Sequence, residues 1–143
     1  MASVIRITLI TPSILKTINN LIPQVSPSAR PLSRALAEKI MHDENIFLLA
    51  VREHGEIVGI GTLVLRALPT GLKARVEDVV VDQKFRGRGF GKKLMKTIIA
   101  LARKKGATSL HLSSRTSRVA ANRLYQQLGF KLRETNNYKM ELR

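Results

Sequence analysis

The chain has 143 residues, 44% of them hydrophobic, a length and composition suited to one domain with a single packed core. It has no cysteine, which excludes disulfides, a thiolate nucleophile and a cysteine-based zinc cluster. The formal net charge of +15 indicates affinity for anions and is unevenly spread, because residues 83–133 contain 14 of the 25 Lys and Arg residues and no Asp or Glu.

The first half of the chain is predicted to form three strands and two helices. In chain order these are strand 4–9, helix 12–21, helix 32–42, strand 46–52 and strand 57–66. Three prolines in residues 23–31 predict a loop between the helices. The amino-terminal apolar run contains Arg6 and predicts a strand, not a signal peptide, and no apolar run approaches the roughly 18 residues of a membrane span. We therefore expect a soluble, cytoplasmic protein without contact to a membrane.

The second half is predicted to form two further strands, two helices and a final pair of strands. In chain order these are strand 74–81, helix 89–105, strand 108–113, helix 117–128, and strands 130–133 and 138–142. Helix 89–105 has the clearest apolar stripe and ends before Gly106. The order of elements predicts one α+β domain, residues 1–143, with a mixed, mostly antiparallel sheet and one parallel crossover within residues 74–113.

A loop of alternating arginine and glycine, in "VVVDQKFRGRGFGKK" (79–93), joins the fourth strand to this helix. The first turn of a helix has unpaired N–H groups and about half a positive charge from its dipole, and glycines let a ligand approach the backbone closely. The loop therefore predicts a pyrophosphate site, with Arg86, Arg88, Lys92 and Lys93 as mobile charges around it. The spacing excludes the dinucleotide fingerprint, whose third glycine is Lys92 here, and the P-loop, whose first glycine is Arg86 here.

Two motifs together indicate a family. The loop has the pattern Arg-x-x-Gly-x-Gly at 86–91, and some 30 residues later "AANRLYQQLGF" (120–130) places Ala and Tyr four residues apart before Gly-Phe. With these motifs the chain resembles the GNAT superfamily of acetyl-CoA-dependent N-acetyltransferases over about two thirds of its length, from about residue 57 onward. The resemblance implies the GNAT fold, with a splayed central parallel strand pair, and acetyl-CoA as cosubstrate. No metal is expected, since the three histidines lack metal-ligand spacing.

The resemblance also implies which residues contact coenzyme A. The implied contacts are Val79, Val80, Val81, Arg86, Gly87, Arg88, Gly89, Phe90, Gly91, Lys92, Asn122 and Tyr125. A bulge near Val79 is expected to separate this strand from strand 108–113, and an amide there is the expected oxyanion donor. Many family members have asparagine where this chain has Arg118, so Asn122 is the alternative source of a side-chain amide.

Acetyl transfer to an amine requires a base for the ammonium proton and benefits from an acid for the departing thiolate. By the same resemblance Glu77 is the predicted base, with Asp78 less favoured, and Tyr125 is the predicted acid. Each has a structural alternative: a carboxylate paired with a cation such as Arg75, and a core tyrosine. Because no cysteine can form an acetyl-enzyme, direct attack in a ternary complex is predicted.

The acceptor stays unassigned between an amino sugar phosphate, a small amine and a protein amino group, although "VEDVVVD" most resembles the glucosamine-phosphate N-acetyltransferases. Two other functions stay open. One is a basic RNA- or ribosome-binding domain, for which Lys92, Lys96 and Arg103 form a stripe on one helix face, and the other is a coenzyme A-binding GNAT fold without catalysis. The charge fits a polyanionic partner and a salty or hot cytoplasm equally well. The family is also compatible with exchange of the last strand in a homodimer.

Overall fold

The computed structural model describes residues 2–143. Its strands are β1 (Ala2–Arg6), β2 (Ile46–Glu53), β3 (Glu56–Leu68), β4 (Gly71–Val81) and β5 (Leu110–His111). Its helices are α1 (Pro12–Leu21), α2 (Arg34–His42), α3 (Phe90–Lys104) and α4 (Val119–Gln127). Two single 3₁₀ turns, Ile22–Gln24 and Gln83–Phe85, follow α1 and β4. No helix in this part of the chain has the length and apolar character that a membrane span requires.

The chain divides into two compact units, one ending at Ser113 and the other formed by Ser114–Arg143. The first contains a five-stranded sheet whose strands lie in sequence order, β1 to β5. All neighbours are antiparallel except β4 and β5, which are parallel and are connected through α3. This confirms the predicted α+β class, the mixed sheet and the single parallel crossover within residues 74–113.

The first unit buries apolar side chains on both faces of its sheet. Ile18 and Leu21 of α1 form one cluster with Leu48 and Ala50 of β2. On the opposite face, Phe90 at the start of α3 packs with Val51 of β2, as the alternation of side chains along a strand requires. The two layers hold the sheet between helices, so the β4–α3 connection is supported from both sides.

The predicted final strands are wrong. No strand pairing within residues 2–143 includes any residue after His111, and Leu132, Tyr138, Met140 and Leu142 are between 80% and 95% exposed. Their alternation with polar residues has the period of a strand, but a strand also needs a neighbouring strand to accept its backbone hydrogen bonds. The strand predicted at 108–113 is likewise reduced to the two residues of β5.

Candidate functional site

The end of β4 contains a bulge. β3 pairs with β4 in one register up to Glu77 and in another from Val80 onward, so Gly61 alone stands opposite Asp78 and Val79. Asp78 has a φ of +52°, which a strand residue rarely adopts. This extra residue confirms the bulge predicted near Val79 and marks the point where β4 changes direction.

The bulge lies where β4 leaves β5. The parallel pairing is confined to Ala74 with Leu110 and Arg75 with His111. From residue 76 to its end, β4 pairs with β3 on one side only, and within residues 2–143 no strand pairs with its other edge. The backbone of residues 79–81 is therefore part of an open strand edge, which can accept an extended ligand through main-chain hydrogen bonds.

The two carboxylates at the bulge have different surroundings. Arg75 donates from Nε to Glu77 Oε1 at 2.5 Å and from its terminal nitrogen to Ser113 Oγ at 2.7 Å. The ion pair between Arg75 and Glu77, predicted from the sequence as the structural alternative to a catalytic role of Glu77, is thus present. Asp78 is an exposed residue that makes no ion pair or hydrogen bond through its carboxylate to any residue in 2–143. Partial burial of the Asp78 carboxyl raises its pKa above the ordinary 3.8, and the nearby charge of Glu77 raises the pKa further.

The loop before α3 turns on two glycines in the left-handed region. φ is +81° at Gly87 and +83° at Gly89, the N-cap of α3, and an L-residue would be strained at either position. Apart from the glycine itself and its two neighbours in the chain, no residue of 2–143 has an atom within 4 Å of the place where a Cβ would be, so the space beside the loop is open. The N–H groups of residues 87–92 donate no hydrogen bond within residues 2–143. They form a set of unused donors at the positive end of a 15-residue helix.

Arg86 holds the two ends of this loop together. Its Nε donates to the carbonyl oxygen of Val81 at 2.9 Å, and its terminal nitrogen lies 3.4 Å from Gln24 Oε1. The same Gln24 oxygen accepts from the Gln83 N–H at 3.0 Å. Gln24 was not predicted to take part, because it is 62 residues away from Arg86 in the chain and no local motif marks it.

The other cations around the loop differ in their contacts. The Arg88 guanidinium lies 3.6 Å from a carboxylate oxygen of Glu53 and 5.3 Å from the centre of the Phe85 ring. Lys93 Nζ donates to the carbonyl oxygen of Ala2 at 2.7 Å. Arg86, Arg88 and Lys93 therefore each contact a partner elsewhere in the chain, which the sequence did not predict. Lys92 is exposed and makes no such contact within residues 2–143.

The second unit contains the other predicted site residues. Tyr125, in the last turn of α4, is 7% exposed, and its ring packs edge-on against Phe130 with centroids 6.0 Å apart. Burial raises the pKa of the Tyr125 phenol above the ordinary 10.0, while the charge and hydrogen bond of Arg118 lower it in part. Because helical side chains point toward the amino end, the phenol reaches back toward Arg118, the N-cap of α4. Asn122 Nδ2 donates to the Arg115 carbonyl oxygen at 2.9 Å, so this amide already holds the start of the helix.

The structure therefore groups the predicted residues in two sets. The carboxylates Glu77 and Asp78, the open edge at 79–81 and the loop 86–92 belong to the first unit. Tyr125 and Asn122 belong to the second. Within the first set, a pair of acids, an open strand edge and a row of unused amides follow one another along 16 residues, counted from 77 to 92. This arrangement can bind an extended anion and remove a proton near one end of it.

Comparison with known proteins adds the family context. The model of the acetyltransferase (GNAT) family matches residues 15–130. The mycothiol acetyltransferase of Renibacterium salmoninarum is 37% identical over 99 residues, which is 68% of this chain and 29% of that protein. The glucosamine 6-phosphate N-acetyltransferase of Trypanosoma brucei brucei is 36% identical over 83 residues, which is 56% of this chain and 54% of that protein. The matched part of the chain thus spans less than two thirds of either relative.

A solved structure extends the likeness to the whole chain. An aminoglycoside N-acetyltransferase in complex with CoA superposes with a TM-score of 0.81, covering 99% of this chain and 95% of that chain. The sequence identity is 17%, so the likeness is one of fold.

Proposed function

Because the chain belongs to the GNAT family of acetyltransferases, we propose that it transfers the acetyl group of acetyl-CoA to a primary amine by direct attack in a ternary complex. The observation that carries this proposal is the loop 86–91, where unused amides and left-handed glycines precede the amino end of α3. The whole chain, residues 1–143, is proposed to act as one acetyltransferase domain, since the family match spans 15–130.

The loop fits the diphosphate of coenzyme A in both shape and charge. Its amides point to no protein acceptor, no side chain fills the space beside Gly87 and Gly89, and Lys92 is free to neutralise a phosphate. Phe90, which is 6% exposed, anchors the helix start in the core, so the amides are held in place before a ligand arrives. Arg86 is proposed to act mainly on the loop itself, because its Nε is bonded to the Val81 carbonyl.

The open edge of β4 is proposed to bind the pantetheine arm as an added strand. The backbone groups of residues 79–81 have no strand partner on that side within residues 2–143. An N–H near Val79 is the proposed donor to the oxyanion that forms when the amine attacks the thioester carbonyl. Acetyl-CoA supplies the activated acetyl group; the chain supplies alignment, the oxyanion donor and the proton transfers.

The base is proposed to be one of the two carboxylates at the bulge, and their contacts rank Asp78 before Glu77. One oxygen of Glu77 is engaged by Arg75 at 2.5 Å, whereas the Asp78 carboxylate has no partner within residues 2–143. The raised pKa of Asp78 brings its basicity closer to that needed near neutral pH. The predicted base Glu77 remains the alternative, with its second oxygen available to a water or an ammonium.

Tyr125 is proposed to protonate the thiolate of coenzyme A after the carbon–sulfur bond breaks. The support is its place in the second motif and its phenol, which is protonated at neutral pH because its ordinary pKa of 10.0 is raised further by burial. The positive charge of Arg118 would stabilise the phenolate that remains after proton transfer, because it lowers the pKa of the Tyr125 phenol in part. Asn122 is proposed as a coenzyme contact through its carbonyl oxygen, since its nitrogen is bonded to Arg115.

The acceptor is proposed only as a class, a primary amine. The named relatives act on an amino sugar phosphate and in mycothiol acetylation, and both names belong to proteins that this chain matches over part of their length. A phosphorylated amine would suit the exposed cations of the chain, whose net charge is +15. Small amines and protein amino groups remain candidates.

A coupled experiment tests the proposal. Calorimetric titration with acetyl-CoA measures binding, and release of free thiol is then screened over amino sugar phosphates, polyamines, aminoglycosides and peptide amines. The proposal predicts saturable binding and amine-dependent thiol release with at least one class. Binding without release for any amine would instead favour a coenzyme A-binding protein without catalysis.

A nucleic-acid-binding function is the second candidate, and one observation favours it. Lys92, Lys96 and Arg103 are exposed along α3 and could contact successive phosphates. An RNA affinity that falls steeply with salt, combined with no binding of acetyl-CoA, would support this function and refute the first.

A further inference from the structure

A groove lies at the β1 edge of the sheet, between β1, β2 and the carboxyl-terminal half of α3. It has a volume of about 300 Å³, within the range of small-molecule sites. Its walls are residues 4–6 of β1, Phe47 and Leu49 of β2, and a flank of α3 that includes Leu101. It contains none of the residues of the β4 bulge, the loop 86–92 or α4, so the proposed function gives it no role.

The groove is lined by three cations and by no carboxylate. Arg6 comes from β1, and Lys104 and Lys105 come from the end of α3. Lysines are common at the end of a helix, where they offset its dipole, but this does not account for the arginine on a different element. None of the three makes an ion pair within residues 2–143.

Two of these cations share one aromatic ring. The Arg6 guanidinium carbon is 4.3 Å and the Lys105 Nζ is 5.2 Å from the centroid of Phe47. The two charges therefore lie within roughly 10 Å of each other, about one Debye length at 0.1 M salt, where like charges still repel. Cation–π contact with Phe47 offsets part of this repulsion, and a bound anion would remove it.

The rest of the wall is apolar. Val4 and Leu49 extend the surface of the Phe47 side chain, and Leu101 faces them from α3. Phe47 and Leu49 are 3% and 4% exposed, so their positions are fixed by the core. The groove thus has partly exposed apolar walls, Val4 and Leu101, above this rigid buried layer, and positive charge at its rim. This combination suits an anion with an apolar body.

We propose that this groove binds a small organic carboxylate with an aryl or short alkyl body. The carboxylate lies between Arg6 and the two lysines, where the guanidinium can donate two parallel hydrogen bonds, and the body packs on the partly exposed Val4 and Leu101. The site is separate from the proposed coenzyme site and gives the chain a second small-molecule ligand.

The test is a titration of the ¹⁵N-labelled protein with 4-phenylbutyrate, followed by amide chemical shifts. Saturable shifts confined to residues 4–6, 47–49 and 97–105 are expected, and they should persist in saturating acetyl-CoA. The uncharged 4-phenylbutanamide keeps the shape of the probe and should bind at least about tenfold more weakly, as expected when a charge-assisted hydrogen bond is lost. Equal binding of the two probes, shifts scattered over the surface, or displacement by acetyl-CoA would overturn the proposal.

Two matched variants test whether Arg6 contributes to binding of the carboxylate. Arg6→Gln should weaken 4-phenylbutyrate binding by about three- to tenfold, the effect of removing one partly exposed charged partner. Lys16→Gln removes an equal charge from α1, outside the groove, and should leave the affinity unchanged. An unchanged affinity in Arg6→Gln, with the amide spectrum of a folded protein, would refute the assignment of this groove.

Discussion

Replacing Gly89 by alanine should separate ligand binding from folding, because the chain contains a matched control. Gly89 has a φ of +83° at the amino end of α3, and Gly106 has a φ of +85° just beyond its carboxyl end. A Cβ at either position would meet no atom within 4 Å. The two alanine variants should therefore carry the same backbone strain, about 1–2 kcal/mol, and lose a similar few degrees of melting temperature.

Only Gly89→Ala should have a reduced affinity for acetyl-CoA. A Cβ at Gly89 would extend into the open space beside the loop, where the diphosphate is proposed to lie. Each amide hydrogen bond to a charged group contributes about 1.5–3 kcal/mol, so the loss or distortion of one should raise the Kd about tenfold or more. Calorimetry measures the Kd and thermal unfolding measures the strain. Equal acetyl-CoA affinities in Gly89→Ala and Gly106→Ala would refute the role of the loop.

Three further predictions concern the reacting groups. Asp78→Asn should reduce thiol release more than Glu77→Gln, both with unchanged acetyl-CoA affinity. Both variants should fold, since Asn tolerates a positive φ and the partly exposed Arg75–Glu77 pair contributes about 1 kcal/mol. Full activity in both variants would exclude a carboxylate base at the bulge. Because the pKa of Asp78 is raised in the folded state, its contribution to stability is present below pH 3.8 and is lost as the pH rises through the raised value. Denaturation of the unaltered protein and Asp78→Asn at several pH values should show this difference, and the activity of the unaltered protein should fall on acidification through the same pKa; parallel stability curves would contradict the cause given for the shift. Tyr125→Phe should lower turnover by about 10²-fold without changing the Kd of acetyl-CoA, and an unchanged turnover would leave Tyr125 a core residue.

Local patterns were sufficient to predict the order of the helices and strands as far as α4, and the loop before α3. The apolar period of α3 and the glycine pattern before it depend on neighbours in the sequence, and both are found where predicted, with α3 beginning at Phe90. The bulge near Val79 was predicted from family resemblance, because nothing in a run of valines marks a change of register. The strain of Asp78 could not be anticipated from composition or period.

The errors have one physical cause, which is that tertiary partners cannot be identified from local periodicity. The alternation of Tyr138, Met140 and Leu142 predicts a strand, yet within residues 2–143 no strand pairs with it. The contact of Arg88 with Glu53 could not be predicted, because Glu53 is 35 positions earlier in the sequence. Glu77 was predicted as a base from its position in a motif, with pairing to Arg75 as the alternative; the hydrogen bond from Arg75 is present, and the catalytic role of Glu77 stays a prediction.

The central claim concerns the backbone amides before α3, and one measurement observes them directly. Acetyl-CoA is titrated into the ¹⁵N-labelled protein while the amide resonances are followed. The largest saturable shifts are expected for the amides of Gly87, Gly89, Gly91 and Lys92, together with residues 79–81 on the open edge of β4. The amide resonance of Gly106, at the other end of α3, should not shift. Saturable binding that leaves the amides of residues 87–92 unshifted, or no binding at all, would contradict the proposed coenzyme site.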